Sequence, residues 1–311
     1  MKARVVAGIS LILLALLGCF YWLKPDFAAA VTIFPFWTWL PFGLLPLLGW
    51  KKLGRRGGWV LLFAWILGTV SFSEEWIGFL RIPTTGDPSR EVVVVSLNCA
   101  GGLIEAAREV AQHHPDIVLL QESPGKNELE VLRQELFGKG GTVVSGPDAA
   151  VLSRYPLRAF EKPHIDATAA IATLDDGRSL NIVSLRLMPP VFRVDIFNPS
   201  AWSDLRRNRE LRREELGEVA DWVSKMPGNA TIVGGDFNAQ SGDAVFRGMP
   251  GGLRDAFYEG GIGWGHTAVN DYPLARIDQI WVSQEFYLLH ERVQKTVYSD
   301  HRMVVLRMML N

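Results

Sequence analysis

Five polar clusters stand at the ends of short apolar runs after residue 90. Asn98 closes the β-branched run 92–97, and Gln121-Glu122 closes the run 117–120. Gly234-Gly235-Asp236-Phe237-Asn238 follows 231–233, Asp278 opens the run 279–282, and Ser299-Asp300-His301 precedes 303–308. Strand ends of an α/β sheet converge on a common crevice, where ligands bind. A site built there gathers Asn98, Glu122, Asp236, Asn238, Asp278, Asp300 and His301: four carboxylates, two amides and one imidazole. That oxygen-rich set suits Mg²⁺ or Mn²⁺ rather than Zn²⁺, because it has no cysteine and one histidine. Singly, each cluster has a plainer reading. Gly-Asp-x-Asn makes an Asx turn, Ser-Asp-His a capped turn, and Glu122 a solvated strand end. All five in this order, each attached to an apolar strand, are not explained that way.

The elements that must position these residues alternate along the chain. Runs 92–97, 117–120, 151–152, 169–174, 180–185, 231–233, 279–282 and 303–308 read as strands, the first buried on both faces. Helical patterns cover 101–113, 127–137 and 203–223, the last with Leu216, Val219, Ala220 and Val223 on one face. Such alternation means an α/β core with sheets flanked by helices. With 32 Lys+Arg against 33 Asp+Glu, no global basic field announces a nucleic-acid binder. Two cysteines rule out a disulfide framework.

The apolar excess lies before Arg81. Stretches 5–23, 27–50 and 57–72 are predicted as three transmembrane helices, a span needing about 20 apolar residues. Residues 84–90, with Pro, Gly and Ser, read as a boundary. The expected division is a membrane region over 1–80, a linker over 81–90 and a site-bearing domain over 91–311. Lys2, Arg4, Lys51, Lys52, Arg55 and Arg56 mark one side of the bilayer, while the connection between the first two stretches holds only Lys24 beside Asp26. Because the basic side faces the cytoplasm, the chain is expected to be a multi-pass inner (plasma) membrane protein with its C-terminal domain periplasmic or extracellular. If the third stretch only lies in the interface, the domain falls in the cytoplasm instead. A cleaved signal peptide is not expected, since no small-x-small site precedes a soluble sequence. A channel or transporter is disfavoured because the stretches carry almost no ionisable residues.

Ser96-Leu97-Asn98, Asp116 to Glu122, Gly235-Asp236-Phe237-Asn238, Arg276-Ile277-Asp278 and Ser299-Asp300-His301 resemble the five signatures of the endonuclease/exonuclease/phosphatase superfamily. The resemblance covers 91–311. It implies a four-layer sandwich of two mixed β-sheets flanked by helices, here preceded by transmembrane helices as in membrane-anchored bacterial members. It also implies a metal-dependent phosphoesterase. Asn98, Glu122 and Asp300 match metal-site positions, Asp236 and Asn238 the pair that orients water and binds phosphoryl oxygens. His301 matches the histidine at the scissile phosphate, with Asp278 as its carboxylate partner.

One position departs from the pattern. Arg186, in Val183-Ser184-Leu185-Arg186-Leu187, stands where many members carry a histidine that helps the leaving group. A guanidinium binds phosphate in a bidentate manner but does not readily give up a proton. Arg186 is therefore assigned to substrate binding. The alternative is a weak or inactive binding module of the same fold, held at the membrane. The resemblance implies a phosphoester substrate, either nucleic acid or a lipid headgroup or other small phosphoester, and no protein partner is implied. Two surface features invite substrate roles. Arg206, Arg207, Arg209, Arg212 and Arg213 form either the solvated face of a helix or a polyanion contact. Trp264, His266 and Tyr272 either pack locally, line a pocket or dip toward the bilayer.

Overall fold

A computed structural model describes residues 2–73, 75–160, 165–191, 193, 195, 197–228 and 230–311. Strands made of unbroken aliphatic runs need cover on both faces, and the chain supplies it with four layers. It lays down β1 (Glu91–Asn98), β2 (Ile117–Gln121), β3 (Thr142–Ser145) and β4 (Ala149–Ser153), then β5 (Leu157–Ala159), β6 (Ala167–Thr173) and β7 (Ser179–Arg186). After the helix Pro199–Lys225 come β8 (Ala230–Asp236), β9 (Arg254–Asp255) and β10 (Gly261–Ile262). β11 (Asp278–Val282), β12 (Phe286–Gln294) and β13 (Met303–Leu310) follow. One sheet runs β10-β12-β13-β1-β2-β4-β3, the other β5-β6-β7-β8-β11-β9. Both are mixed. β1 pairs β2 and β7 pairs β8 in parallel, while β13 and β11 lie antiparallel to β1 and β8.

Between the sheets, Val94, Ile117 and Leu119 of the first meet Ile182, Ile232 and Ile280 of the second. Outside the first sheet, helices Ile104–Arg108 and Lys126–Phe137 bury Ala106, Leu129 and Leu132 against Val95 and Val118. Outside the second, the helix Pro199–Lys225 buries Leu216, Val219 and Trp222 against Val183 and Val233. A polar link ties the sheets just behind the strand ends: Gln121 Nε2 donates to Ser184 Oγ at 3.1 Å, and Ser184 Oγ to Leu120 O at 3.0 Å.

Several elements differ from the sequence expectation, since β3, β5, β9, β10 and β12 are not among the expected strands. The helical pattern over 101–113 is one turn, Ile104–Arg108, continued as 3₁₀ helix over Glu109–His113. The glycines ahead of it sit at φ +76° and +87°, outside helical space. β12 was not expected, because Phe-Tyr-Leu-Leu-His-Glu-Arg-Val-Gln lacks strict alternation and its register breaks between Leu288 and His290.

In the N-terminal region, the helix over Arg4–Leu23 is long and apolar enough to cross a membrane, as an anchor or a signal sequence does. Asp26–Thr32 and Phe36–Gly49 meet that test only together, bent by 72°. The helix Arg55–Phe72 begins with two arginines and two glycines, which dilute its apolar character. So the three expected spans differ in kind: one straight helix, one broken pair and one helix that falls short. They pack through Leu17, Phe36, Leu61 and Trp65. A polar chain links them internally, Trp65 Nε1 donating to Ser10 Oγ at 2.9 Å and Ser10 Oγ to Gly43 O at 2.5 Å.

This region is docked on the sheet domain. Arg213 pairs with Asp26 at 2.7 Å, and Arg209 reaches both Asp243 at 2.8 Å and Thr32 Oγ1 at 2.6 Å. Arg247 donates to Leu23 O at 2.5 Å, and Arg81 to Phe257 O at 2.9 Å. The arginine run thus divides. Arg206 and Arg207 form a solvated face with Glu210 and Glu214, whereas Arg209, at 1% exposure, and Arg213 hold the N-terminal segment.

Candidate active site

Parallel pairing of β1 with β2 brings Asn98 and Gln121 level. The next residue, Glu122, turns its side chain back over the strand ends by adopting φ +44°. Parallel pairing of β7 with β8 sets Arg186 opposite Asp236, and antiparallel pairing of β8 with β11 sets Asp236 opposite Asp278. β8 approaches β7 so closely that a Cβ on Gly235, at φ +144°, would lie 1.9 Å from Leu185 O. Glycine before Asp236 is therefore a steric requirement. Asn238 sits at φ +49°. Left-handed backbone at residues other than glycine costs about 1–3 kcal/mol each and collects at functional sites.

Hydrogen bonds join these side chains across the two sheets. Asn98 Nδ2 donates to Glu122 Oε1 and to Asp236 Oδ2, both at 3.2 Å. Glu122 Oε2 accepts from Gly101 N at 2.6 Å, and Asp236 Oδ1 from Asn238 N at 2.9 Å. Asn238 Nδ2 is anchored on Leu187 O at 2.8 Å, and Arg212 donates to the Asn238 carbonyl. His301 Nδ1 lies 2.8 Å from Asp278 Oδ2. Of the eight residues the sequence singles out, seven fall into this network: Asn98, Glu122, Arg186, Asp236, Asn238, Asp278 and His301. Asp300 is exposed beside His301, its backbone carbonyl accepting from Asn270 N at 2.6 Å.

Arg186 does not stand free for a ligand. Its guanidinium pairs with Glu122 at 2.8 Å and with Asp148 at 3.2 Å. Asp148 gave no signal in the sequence, being in an ordinary turn. Thr267 and Ser299 were also missed as supports. Thr267 Oγ1 accepts from Asp278 N at 3.1 Å, and Ser299 Oγ donates to Asn98 O at 2.7 Å while accepting from His301 N at 3.0 Å. Arg276, part of the fourth of the five motifs, is structural. It is buried and forks onto Asp255 behind the site.

Electrostatics follow from burial. Full burial, then the facing Asp278 carboxylate, push Asp236 up to about 7. Burial alone would lower His301, but Asp278 beside it, by charge and by hydrogen bond, raises it to about 10, with Asp236 and Asp300 adding to the effect.

Asp236, Asp278 and His301 each offer a ligand atom, all within 4.8 Å of one another. Asp278 Oδ1 is buried with no hydrogen-bond partner in this set. An orphaned carboxylate oxygen among convergent acids fits the demand of a hard divalent cation for oxygen ligands. Glu122 and Asn98 adjoin the group through Asn98 Nδ2. Two cavities flank it. One of about 550 Å³ begins at Ser123, beside Glu122, and runs past Lys126, Gly146 and Thr168. The other, of about 350 Å³, reaches Asn238 from the N-terminal region.

Residues 95–301 match the family described as the Endonuclease/Exonuclease/phosphatase family. No curated protein matches the chain. Among solved structures it is similar to an endonuclease/exonuclease/phosphatase from Bacteroides vulgatus, at 16% identity and TM-score 0.56, over 71% of this chain and 99% of that one. A mannosyl-6-phosphatase from Bacteroides thetaiotaomicron aligns at 15% identity and TM-score 0.54, over 70% and 100%. Humanized TDP2 of D. rerio aligns at 16% identity and TM-score 0.52, over 70% and 99%. At these identities the structural likeness speaks for the fold.

Proposed function

Since the chain belongs to the Endonuclease/Exonuclease/phosphatase family, we propose that it is a divalent-metal-dependent hydrolase of phosphoester bonds, chiefly phosphodiesters, mounted on a membrane. One observation carries the reading. The buried Asp236, Asp278 and His301 group is joined through Asn98 to Glu122, at the meeting ends of both sheets.

In this proposal Glu122 and Asn98, with Asp300 at the rim, hold Mg²⁺ or Mn²⁺. Bound there, the cation supplies a positive charge that polarises a phosphoryl oxygen. Asp236 and Asn238 orient the attacking water and bind the phosphoryl oxygens. Asp278 fixes the His301 ring through Nδ1, leaving Nε2 for the scissile phosphate. Water oxygen bonds to phosphorus and gives up one proton, the bond from phosphorus to the leaving oxygen breaks, and that oxygen gains one proton in return. Arg186 offers a guanidinium to phosphate oxygens from its seat between Glu122 and Asp148.

The membrane part of the proposal has separate support. Residues 1–80 are taken as a membrane region, 81–90 as a linker and 91–311 as the catalytic domain. Outward faces of the N-terminal helices are apolar, with Ile9, Ile12 and Leu16 on one and Trp59, Phe63 and Ile66 on another exposed. A helix pair apolar inside and out belongs in lipid. The 24–32 connection and the exit at Arg81 both touch the catalytic domain. The helix Arg55–Phe72 sets Lys51, Lys52, Arg55 and Arg56 about 27 Å away, at its other end. Basic residues on the far side support a catalytic domain outside the cytoplasm.

The test is hydrolysis of bis(p-nitrophenyl) phosphate by the full chain in dodecyl maltoside, with Mg²⁺, Mn²⁺ or chelator. Turnover is expected to need metal, and to fall about 10²–10⁴-fold in Asp236→Ala and His301→Ala. A binding module remains as the second reading, favoured by the seat Arg186 takes on Glu122. No turnover from folded wild type under either metal would select it.

A further inference from the structure

The cavity at Asn238 has an unusual construction. Its outer wall is the bend of the N-terminal region, with Ile33, Phe34 and Trp37, between the two pieces that together are apolar enough to span a membrane. Its inner wall comes from immediate neighbours of the proposed catalytic residues: Ala239 follows Asn238, Ile277 precedes Asp278, and Ala268 pairs with His301. Val191 lines it too, and exposed Tyr272 and Leu274 stand at its mouth. Arg209, Thr32 and Asp243 lock the outer wall in place, so the space is a fixed part of the fold.

A largely apolar lining, with Phe34, Trp37 and Tyr272 among its aliphatic residues and no uncommitted cation, does not suit a sugar-phosphate backbone. Nucleic-acid sites rest on phosphate neutralisation and stacking platforms, and the arginines nearby are committed. Arg193 pairs with Asp195 and Asp204, and Arg212 donates to Asn238 O. The cavity is lined at one end by Asn238 of the proposed site and walled at the other by a segment suited to lipid. We propose that it receives the aliphatic portion of an amphiphilic phosphoester, a phospholipid-like substrate whose phosphate reaches Asp236 and His301. The proposal rests on the phosphoesterase reading and names its substrate class. Tyr272, expected either to pack, to line a pocket or to dip toward the bilayer, takes the pocket role here, while Trp264 packs locally on His266 and Pro273.

The test uses the full chain in dodecyl maltoside and two esters with the same reacting bond, methyl p-nitrophenyl phosphate and hexadecyl p-nitrophenyl phosphate. Ile33→Trp and Leu274→Trp fill the cavity from opposite walls, away from the catalytic residues. Each should lower the hexadecyl-to-methyl ratio of kcat/KM about tenfold, as excluding roughly two methylenes would, and leave methyl ester turnover unchanged. An unchanged ratio in variants that still cleave the methyl ester overturns the proposal. So does an oligonucleotide cleaved faster than the hexadecyl ester. If neither ester is cleaved, the phosphoesterase reading has failed, and a binding experiment decides the cavity separately. A hexadecyl phosphonate with a terminal diazirine is photolysed with the protein and mapped by mass spectrometry. Label on Thr38, Val191 or Leu274, lost in Ile33→Trp, supports occupancy. Equal labelling there by the corresponding hexadecanol probe overturns it.

Discussion

Arg186 occupies the seat that a divalent cation held by Glu122 would compete for. Its guanidinium is 2.8 Å from Glu122, and both side chains are about three-quarters withdrawn from water. If Glu122 carries the cation, that ion pair must loosen on metal binding, and Asp148 remains to hold the guanidinium near the phosphate. Arg186→Met is therefore expected to bind Mn²⁺ more tightly, by about tenfold, a change of about 1.4 kcal/mol. The same variant should bind inorganic phosphate more weakly. Titration of free Mn²⁺ by electron paramagnetic resonance reads the first effect, and unchanged affinity would sink this account of the pair. At this scale most of the site was legible in the sequence. Asn98, Glu122, Asp236, Asn238, Asp278 and His301 each follow or open an aliphatic strand, so their side chains had to emerge at the sheet ends. Asp148 and Thr267 were not, since each acts through a contact made by distant pairing, with no local pattern to betray it.

Among the elements, the helix Pro199–Lys225 does two jobs with one run of arginines. Leu216, Val219 and Trp222 cover the second sheet, while Arg209 and Arg213 grip the segment before Thr32. Arg209 and Asp243 are both nearly fully buried, so removing one partner strands the other's charge. Arg209→Met is expected to cost about 3–5 kcal/mol, read as a lowered thermal midpoint of the full chain in detergent. Asp243→Asn in the same background should recover part of the loss, and additive losses would argue against a coupled pair. The sequence showed the amphipathic helix but gave its arginines to solvent or substrate, because nothing local reveals that another segment lies over them. Its strand pattern was read well where burial is two-sided, as in β1 and β8. It failed on β12, whose His290, Glu291 and Arg292 interrupt the alternation around a register break.

At the scale of the molecule, the basic residues at one end of the N-terminal helices and the sheet domain at the other predict opposite compartments. Reporter fusions after residue 52 and after Asn311 should give opposite compartment signals in cells. Two signals of the same kind would remove the proposed orientation and, with it, the placement of the sheet domain outside the cytoplasm. The sequence indicated three apolar stretches but not their shapes. The 72° break of the second follows from Pro35, which ends one piece and starts the next.

The grip on the 24–32 connection also fixes how such an enzyme would meet its substrate. A catalytic head on a loose tether samples a hemisphere of solution. One clamped at Asp26, at Thr32 and again at Arg81 has no such reach and keeps one height and one tilt. For the lipid-like substrate proposed, its supply would be a two-dimensional population, counted as mole fraction within the leaflet rather than as molarity. Its rate would be set by lateral diffusion and by dilution with inert lipid, at constant bulk concentration of everything in the tube.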